Sequence, residues 1–322
     1  MKAIKFSHYG SPNQLHLTEI PTPSPKEDEL LIRVHASSIN SWDWEYLSGT
    51  FINRLLFGLF KPKPHKQVLG ADIAGTVEAV GSGVSRFKPG DEVFGDLWDN
   101  WGGFAEYACA HESAIQSKPE GATFEQAAAV PQAGVLALQG IRKANPLRPG
   151  QRVLINGAGG GVGTFAIQLA KLAGAEVTGV DAAHKLETVR ATGADRIIDY
   201  QQTDFTKTGE CYELIIDCHG NRSIADYKHA LSPGGAYAMV GGSRIIPVVL
   251  QNYIGRFTGE TRQFSLVAEG PNKGLADLKS YMEAGELKPV IDASYPLEET
   301  PEAFRYFDRG QHRGKLVISI QS

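Results

Sequence analysis

The chain has 322 residues, 42% of them hydrophobic and 21% charged, which is typical of a globular protein with one large or two ordinary domains. Its net charge of −4 at pH 7 argues against binding nucleic acid through bulk positive charge. No uncharged run approaches the roughly 18 residues that span a bilayer, and residues 1–10 lack the apolar core of a secretory signal. The three cysteines form no C-x-x-C pair, as expected in a reducing compartment. We therefore expect a cytoplasmic protein that binds neither nucleic acid nor, stably, a membrane.

Short strands separated by turn residues are predicted throughout residues 1–124. The segment 30–36 is strand-like and follows a proline-rich turn, and 68–81 is also strand-like. The segment 87–95 is a turn between strands, and 102–107 leads into another strand. So many short strands with turn residues between them are typical of a small β-barrel.

The segment 38–46 follows the first clear strand and is dense in polar and aromatic residues. It fits a helix start capped by Asn40 or Ser41, the wall of a binding site, or both at once. Asp43 is accordingly either a site carboxylate or a buried acid that caps the helix.

The next segment, 51–66, carries apolar residues at helical spacing, and basic residues follow them. Three interpretations are open. The segment packs as an ordinary helix, covers the substrate as a hydrophobic lid, or lies against a membrane surface. It is too short for its sequence to decide among them.

A glycine-rich stretch, 157–163, lies between an apolar strand at 153–155 and an amphipathic helix. In this context glycines allow a tight turn and let the backbone approach a pyrophosphate, which binds the N–H groups of the helix start. The motif reads A-x-G-x-x-G, because Ala158 stands at the usual first glycine. The following strand, 176–180, ends in Asp181, near the roughly 20-residue offset of a ribose-binding acid. The sequence therefore predicts a dinucleotide site.

Strands alternate with helices around and after this turn. The predicted strands are 176–180, 195–199, 213–217 and 236–240, and the predicted helices between them include 183–192 and 222–230. Such alternation implies an α/β fold with a doubly wound parallel sheet and right-handed crossovers. We predict a dinucleotide-binding domain at 125–268, inserted into a β-rich domain formed by 1–124 and 269–322.

Motifs spread along the whole chain resemble those of the medium-chain dehydrogenase/reductase superfamily. They are G-x-D-x-x-G-x-V from Gly70, P-G-D-x-V from Pro89, P-x-A-G from Pro131, the glycine turn, P-G-G from Pro233 and G-K at Gly314. Within the superfamily, the chain is similar to the zinc-free quinone oxidoreductase branch. The resemblance implies a GroES-like β-barrel catalytic domain plus a Rossmann domain, a nicotinamide cofactor and, commonly, a homodimer.

The residues argue against a zinc ion, since a catalytic zinc needs about three Cys, His or carboxylate ligands. By the resemblance, Asn40 and Ala71 stand where zinc-dependent relatives carry Cys and His ligands, and Asp72 stands where they have a glutamate. The four closely spaced cysteines of a structural zinc lobe are also missing, because the chain has three cysteines in all. We therefore expect no metal.

Without a metal, the nicotinamide carries the hydride, and the protein has to stabilise negative charge on the accepting oxygen. Asn40 resembles the active-site asparagine of the branch. Asp43 and Tyr46 are further candidates for the catalytic set, although the family's tyrosine would align with Glu45, one residue earlier. His219 is either a proton donor or a loop residue that faces the cofactor.

Two features bear on the choice of cofactor. Asp181 would accept hydrogen bonds from both ribose hydroxyls and would repel a 2′-phosphate. Lys185 resembles a lysine that binds this phosphate in some quinone reductases, and His184 is adjacent. Repulsion at Asp181 is the harder obstacle, so NADH is slightly favoured over NADPH. The other predicted contacts are Ala158, Gly159, Gly160, Gly161 and Val162 at the pyrophosphate, Tyr200 at the adenosine, and Gly241, Gly242 and Ser243 at the nicotinamide.

These observations predict a zinc-independent NAD(P)H-dependent oxidoreductase that passes hydride to a small apolar electrophile, either a quinone or an activated enone or aldehyde. Candidates for the wall of a flat apolar pocket are Trp42, Trp44, Phe51, Phe57, Trp98 and Trp101. Two alternatives remain: a nucleotide-binding protein with little catalysis, such as a sensor or a crystallin-like protein, and a membrane-associated reductase that uses residues 51–66.

Overall fold

A computed structural model describes residues 1–49, 64, 66–97, 100–144, 146–242, 245–267 and 270–320. The strands are β1 (Lys2–Lys5), β2 (His16–Glu19), β3 (Glu29–Ile39), β4 (Asp72–Val80), β5 (Glu92–Asp96), β6 (Tyr107–His111), β7 (Ile115–Ser117), β8 (Arg152–Asn156), β9 (Glu176–Asp181), β10 (Arg196–Asp199), β11 (Tyr212–Asp217), β12 (Leu231–Met239), β13 (Gln263–Leu266), β14 (Ile291–Pro296) and β15 (Lys315–Ser319). The helices are α1 (Ser41–Ser48), α2 (Phe124–Ala128), α3 (Pro131–Arg142), α4 (Gly161–Leu172), α5 (Leu186–Ala191), α6 (Ile224–Ala230), α7 (Ile245–Thr258), α8 (Leu275–Glu283) and α9 (Thr300–Asp308). Within these ranges, no helix is long and apolar enough to cross a bilayer.

The first of two compact units comprises Met1–Gln132, Pro271–Glu283 and Ile291–Ser322. Its main sheet has the strand order β14-β15-β3-β4-β5-β7, β6 also pairs with β3, and β1 pairs with β2. Most of these pairs are antiparallel, as short strands joined by turns require. Helix α2 contacts β3 and β4, so the unit continues through this helix to Gln132.

Helix α1 follows β3 directly and packs into a hydrophobic core of the first unit. This core joins Tyr46 and Leu47 of α1 to Phe104 and, from α9, to Phe304, all at most 3% exposed. The burial of α1 places its first turn beside the end of β3 and the start of β4. Polar side chains at these three element ends therefore meet away from water.

The second unit comprises Ala133–Gly270 and Ala284–Val290. Its sheet has the order β10-β9-β8-β11-β12-β13, and every pair is parallel. Central strands carry runs of apolar residues, such as 153–155 in β8, because helices cover both faces of such a sheet. The predicted parallel sheet is confirmed. Helix α7 and strand β13 had no counterpart among the predicted elements.

Candidate active site

The glycine turn of the second unit connects β8 to α4. Gly157 has a φ of +87°, in the left-handed region that favours glycine. The N–H groups of Gly157 and Ala158 both donate to the carbonyl oxygen of Val180, at 2.9 and 3.1 Å, which ties the turn to β9. A Cβ at Gly163 would lie 2.2 Å from the carbonyl oxygen of Gly157, so this position requires glycine. The predicted succession of strand, glycine turn and helix is confirmed.

The start of α4 provides the geometry that a phosphate needs. Gly160 precedes the helix and makes no side-chain capping hydrogen bond. A Cβ there would lie in ordinary van der Waals contact with the carbonyl oxygen of Gly157, at 3.5 Å. Gly161 and Val162 lie in the first turn of a 12-residue helix, where N–H groups and the helix dipole attract anions. These residues fit the pyrophosphate of a dinucleotide.

The carboxylate of Asp181 lies against the glycine turn. Its Oδ2 accepts the N–H of Gly159 at 2.7 Å, and its Oδ1 accepts the N–H of Ala182 at 2.8 Å. The residue is 6% exposed and ends β9, at the carboxyl edge of the parallel sheet, where nucleotides bind in folds of this kind. Each oxygen keeps a lone pair that can accept a ribose hydroxyl.

Lys185, Tyr200 and His184 lie around the same turn. A Cβ on Gly159 would stand 2.8 Å from Cβ of Lys185, which is 8% exposed, so the lysine stem packs directly on the turn. The backbone N–H of Tyr200 donates to the carbonyl oxygen of Asp181 at 3.2 Å, and the residue is 46% exposed. His184 is exposed. The structure therefore brings the predicted adenosine-side residues together at one edge of the sheet.

The predicted nicotinamide-side residues follow β12. A Cβ on Gly242, whose φ is +109°, would lie 2.1 Å from the carbonyl oxygen of His219, and one on Gly241 would lie 3.0 Å from that of Cys218. The end of β12 thus packs backbone to backbone on the loop after β11, which is possible because both residues are glycine. Ser243 lies outside the described residues.

The loop after β11 is anchored by the side chain of Asp217, which is 0% exposed. Its Oδ1 accepts the amide of Asn156 at 2.8 Å and the N–H groups of His219 and Gly220, both at 3.0 Å. The carboxylate therefore joins the ends of β8 and β11 and fixes the conformation of residues 218–220. Because the ring of His219 lies beside Gly157, this loop borders the glycine turn.

Two buried tyrosines complete this cluster. The hydroxyl groups of Tyr227 and Tyr237 both donate to Oδ2 of Asp217, the second at 2.8 Å. Burial, reinforced by the neighbouring carboxylate, raises the pKa of both tyrosines well above its usual range. Both hydroxyl groups are therefore neutral donors at neutral pH.

In the first unit, Asp43 is 0% exposed and sits in the first turn of α1. Its Oδ2 accepts the N–H of Asn40 and its Oδ1 accepts the N–H of Gly70, both at 2.9 Å. Burial raises its pKa from the ordinary 3.8 to about 7, and the two backbone donors oppose this rise. This geometry agrees with the interpretation of Asp43 as a buried acid that caps α1.

The Asn40 side chain, in a residue 6% exposed, is held at both ends. Its amide nitrogen donates to Oδ2 of Asp72 at 2.9 Å, and its Oδ1 accepts a hydrogen bond from the Lys315 ammonium at 2.5 Å. Asp72 and Lys315 are themselves 0% and 3% exposed. The structure therefore joins Asn40 to a buried pair of opposite charges, which offers a neutral N–H donor in a nearly water-free environment.

Tyr46, the third predicted catalytic residue, belongs to the hydrophobic core. It is 3% exposed, its ring centroid lies 4.8 Å from that of Trp101, and its hydroxyl accepts the backbone N–H of Lys66 at 3.1 Å. These contacts give Tyr46 a packing role, and its catalytic role stays a prediction. Trp42 and Trp44 are half-buried on the same helix. Of the predicted pocket and lid residues, Phe51, Phe57 and Trp98 lie outside the described ranges, as does the 51–66 segment apart from residues 64 and 66.

The polar groups at and around Asn40 do not form a set of ligands for a zinc ion. They are an amide, the Asp72 carboxylate and an ammonium, Lys315, whose Nζ lies 3.7 Å from Oδ2 of Asp72. Across the described ranges, no group of three or more His, Cys, Asp or Glu is placed to hold a metal. Burial raises the pKa of Cys109 to about 11 and raises that of Cys218 further, so neither offers a thiolate at neutral pH.

Several functional contacts were absent from the sequence predictions. Lys315 was noted only as part of a motif, and its contact with Asn40 joins residues 275 positions apart. The anchoring role of Asp217 was also missed, although an acid that ends an apolar strand was a usable signal. Its tyrosine partners carried no such signal, because buried tyrosines are common in any core.

Comparison with known proteins gives consistent matches along the whole chain. Residues 26–140 match the family described as "Alcohol dehydrogenase GroES-like domain", and residues 192–318 match the one described as "Zinc-binding dehydrogenase". The chain is 32% identical to a "2-methylene-furan-3-one reductase" of Solanum lycopersicum, covering 99% of this chain and 79% of that protein. It is 31% identical to the "Quinone oxidoreductase" of Homo sapiens, covering 99% and 98%.

A solved structure agrees with these matches. The quinone oxidoreductase from Coxiella burnetii superimposes with a TM-score of 0.88 at 31% identity, covering 100% of this chain and 99% of that one. The predicted fold class is confirmed: an α/β chain in which a GroES-like domain accompanies a parallel Rossmann-like sheet.

Proposed function

Since the chain belongs to the zinc-free quinone oxidoreductase branch of the medium-chain dehydrogenase/reductase superfamily, we propose that it is an NAD(P)H-dependent reductase of a quinone or an activated enone or aldehyde. The observation that carries this proposal is the glycine turn with Asp181 bonded to it, because this geometry suits a dinucleotide. A protein that binds nucleotide with little catalysis is not favoured, since the relatives named above are reductases.

The bound nicotinamide supplies the hydride, and the residues of this chain bind and orient the reactants. The first turn of α4 would hold the pyrophosphate, and the Asp181 carboxylate would accept hydrogen bonds from the ribose hydroxyls. Asn40 donates an N–H to the oxygen on which negative charge develops, and its low exposure strengthens this hydrogen bond. Removing one such donor typically lowers kcat about 10²- to 10³-fold.

The activity test follows NAD(P)H oxidation with a benzoquinone and with an α,β-unsaturated ketone, for the parent and for Asn40→Ala. We expect one electrophile to be reduced by the parent, and about a hundredfold lower kcat in the variant with cofactor affinity unchanged. Tight cofactor binding without oxidation by any electrophile would instead support the non-catalytic alternative.

We propose NADH as the preferred cofactor, on the basis of the position of Asp181. A 2′-phosphate at the ribose would meet a buried carboxylate that already holds the glycine turn. Lys185 packs on the same side of Gly159, because a Cβ built there would lie 3.2 Å from both Cδ of Lys185 and Oδ2 of Asp181. Repulsion of like charges in a poorly solvated site is costly, which favours the cofactor without this phosphate.

The test is a fluorescence titration with NADH and NADPH for the parent and for Asp181→Asn, which keeps an acceptor for the Gly159 N–H but removes the charge. We expect tighter NADH binding in the parent and improved NADPH binding in the variant. Glu176→Gln, an exposed change at the other end of β9, is the matched control. Tighter NADPH binding by the parent would show that Lys185 and His184 outweigh Asp181.

We further propose that catalysis needs no metal. The ammonium of Lys315 lies 2.5 Å from Oδ1 of Asn40 and 3.7 Å from Oδ2 of Asp72, so a positive charge already lies beside these two side chains. An Asn side chain is a poor zinc ligand, and Ala71 has no group that could bind zinc. Dialysis against a chelator is expected to leave kcat unchanged, and added zinc is expected not to raise it. A loss of activity that zinc restores would contradict this proposal.

The predicted homodimer has a candidate surface on α7. Its exposed apolar residues recur at helical spacing and include Ile246 at 79% and Phe257 at 75% exposure, and β13, which α7 contacts, is the last strand of the sheet in the described residues. Stripes of this kind are rare on monomers. We expect a dimer in sedimentation experiments and a monomer for the double variant I246D/F257D, with Asn252→Asp on the same helix as control. A parent monomer that binds liposomes would point to a membrane contact instead.

A cytoplasmic location completes the proposal. It is supported by the three free cysteines, none of which is paired. Imaging of a fluorescent fusion would test it.

A further inference from the structure

Lys315 occupies an unusual place for a lysine. It begins β15, which pairs antiparallel with the end of β3, so its side chain lies beside the last residues of that strand. The residue is 3% exposed, and its Nζ donates to the carbonyl oxygen of Ile39 at 3.1 Å and to Oδ1 of Asn40 at 2.5 Å. Burying an ammonium costs several kcal/mol unless it is paired and hydrogen-bonded. This lysine is both, since Asp72 is its counterion.

Asp72 is fixed from three sides. Its Oδ1 accepts the N–H of Gln132 at 3.0 Å, and its Oδ2 accepts the Ser38 hydroxyl at 3.2 Å and the Asn40 amide at 2.9 Å. These donors come from β3, from the residue after β3 and from the start of α3. The carboxylate therefore has little freedom to move or to rotate.

Together the two charged groups permit a single orientation of the Asn40 amide. An ammonium only donates hydrogen bonds and a carboxylate only accepts them. If the amide flipped, its NH₂ would face the Lys315 ammonium and its oxygen would face the Asp72 carboxylate, so both hydrogen bonds would become repulsive contacts. The amide nitrogen carries two protons, and the second has no acceptor in the described part of the chain.

We propose that Lys315 and Asp72 are positioning residues, which lock the Asn40 amide so that its second N–H is presented to the substrate oxygen. This inference rests on the proposed reductase function and on the role of Asn40 in it. The ammonium is thus the buried cation of this site, and it acts on the substrate through the amide.

The test uses the double variant D72N/K315M, which removes both charges together and keeps the side-chain volumes close to the parent's. We expect it to fold, because removing both charges together leaves neither Lys315 nor Asp72 buried without its partner. With the amide no longer locked, we expect kcat to fall about tenfold to a hundredfold while the KM for NADH is unchanged. The matched control is E92Q/K118M, which removes another lysine–carboxylate pair of the same unit, with its lysine side chain 10% exposed, and is expected to keep the parent kcat.

A second measurement separates positioning from a general structural effect. If Lys315 and Asp72 act through Asn40, then D72N/K315M lowers kcat no further when it is added to Asn40→Ala. If they act only on the structure, the two losses multiply, and the proposal is wrong. Should the double variant fail to fold, D72N/K315Q carries the same cycle, because it also leaves neither partner of the pair charged and keeps a polar side chain at both positions.

The outcomes also distinguish the role of Asn40 in the reaction from the positioning role of Asp72 and Lys315. A parent kcat in Asn40→Ala would remove Asn40 from the mechanism and the proposal with it. A low kcat in Asn40→Ala but a parent kcat in D72N/K315M would overturn only the positioning role and would leave the reductase function standing.

Discussion

Each of the two units has a carboxylate at a strand end that is 0% exposed, Asp72 at the start of β4 and Asp217 at the end of β11, but different partners stabilise the two. Asp72 in the first unit faces the ammonium of Lys315 as well as neutral donors. Asp217 in the second unit is held by neutral groups in the described residues: the amide of Asn156, two backbone N–H groups and two tyrosine hydroxyls. A buried charge can be satisfied by an opposite charge or by enough hydrogen bonds, and the two solutions respond differently to mutation.

The difference also has functional meaning. At Asp72, burial raises the pKa of the carboxyl group, while Lys315 and the hydrogen bonds lower it. Asp72 accepts one of the two amide protons of Asn40, and the other has no acceptor in the described residues. At Asp217, every partner is part of the protein framework, and the result is a fixed loop beside the glycine turn. In the mechanism that we propose, the first cluster therefore presents a donor to the substrate, whereas the second shapes the cofactor site.

The largest effect is expected for Asp72→Ala, which leaves the ammonium of Lys315 buried without its counterion. We expect the free energy of unfolding of the first unit to fall by about 3–5 kcal/mol. Urea unfolding followed by tryptophan fluorescence reports on this unit alone, because all four tryptophans, at 42, 44, 98 and 101, belong to it. Adding Lys315→Met should restore most of the loss. If it restores none, the unpaired ammonium of Lys315 is not the cause of the loss. Asp72 would then not differ from Asp217 in depending on an opposite charge.

The next effect concerns pH and Asp43, whose surroundings include Asp72 and Lys315. Burial raises its pKa from 3.8 to about 7, so between these values the folded state binds more protons than the unfolded state. This group therefore lowers the free energy of unfolding as pH rises from about 4 to about 7, by up to about 4 kcal/mol, and has no further effect above that range. Urea unfolding of the parent and of Asp43→Asn across this range measures the difference. An equal slope in the two proteins would contradict the raised pKa.

These clusters show which parts of the molecule the sequence makes predictable. The glycine turn and the parallel sheet were predicted, and capping was one of the two roles considered for Asp43, because each depends on residues close together in the chain. The contact between Asn40 and Lys315 depends on the pairing of β3 with β15, which no local pattern encodes. Helix α7 was missed for another reason: its apolar stripe faces outward, and Pro247 stands in its first turn.

A smaller effect is expected at Asp217. Tyr237→Phe removes one hydroxyl donor from a carboxylate that keeps the Tyr227 hydroxyl, the amide and two backbone N–H groups. We expect the free energy of unfolding to fall by about 1.5–3 kcal/mol, the range for hydrogen bonds to charged groups. Urea unfolding followed by circular dichroism measures this loss, and NADH titration shows whether the loop at residues 218–220 has moved. Tyr295→Phe, a change of the same kind in the first unit, is the control. A loss near zero would mean that the remaining donors satisfy the Asp217 carboxylate without the Tyr237 hydroxyl. A loss above the expected range would mean that they cannot replace it.

The smallest effect is expected for Ser38→Ala, at the first cluster. The Ser38 hydroxyl donates to Oδ2 of Asp72 at 3.2 Å, a long hydrogen bond to an oxygen that also has the Asn40 amide and the Lys315 ammonium. We expect a loss of about 0.5–1 kcal/mol in the free energy of unfolding and an unchanged kcat. Ser37→Ala is the matched control, because its hydroxyl donates to the backbone oxygen of Asp72 at 2.7 Å and not to the carboxylate. A fall in kcat for Ser38→Ala alone would show that the Asp72 carboxylate needs all of its donors to orient Asn40. The ion pair would then make the first cluster no less sensitive to the loss of one donor than the second cluster, which has neutral donors.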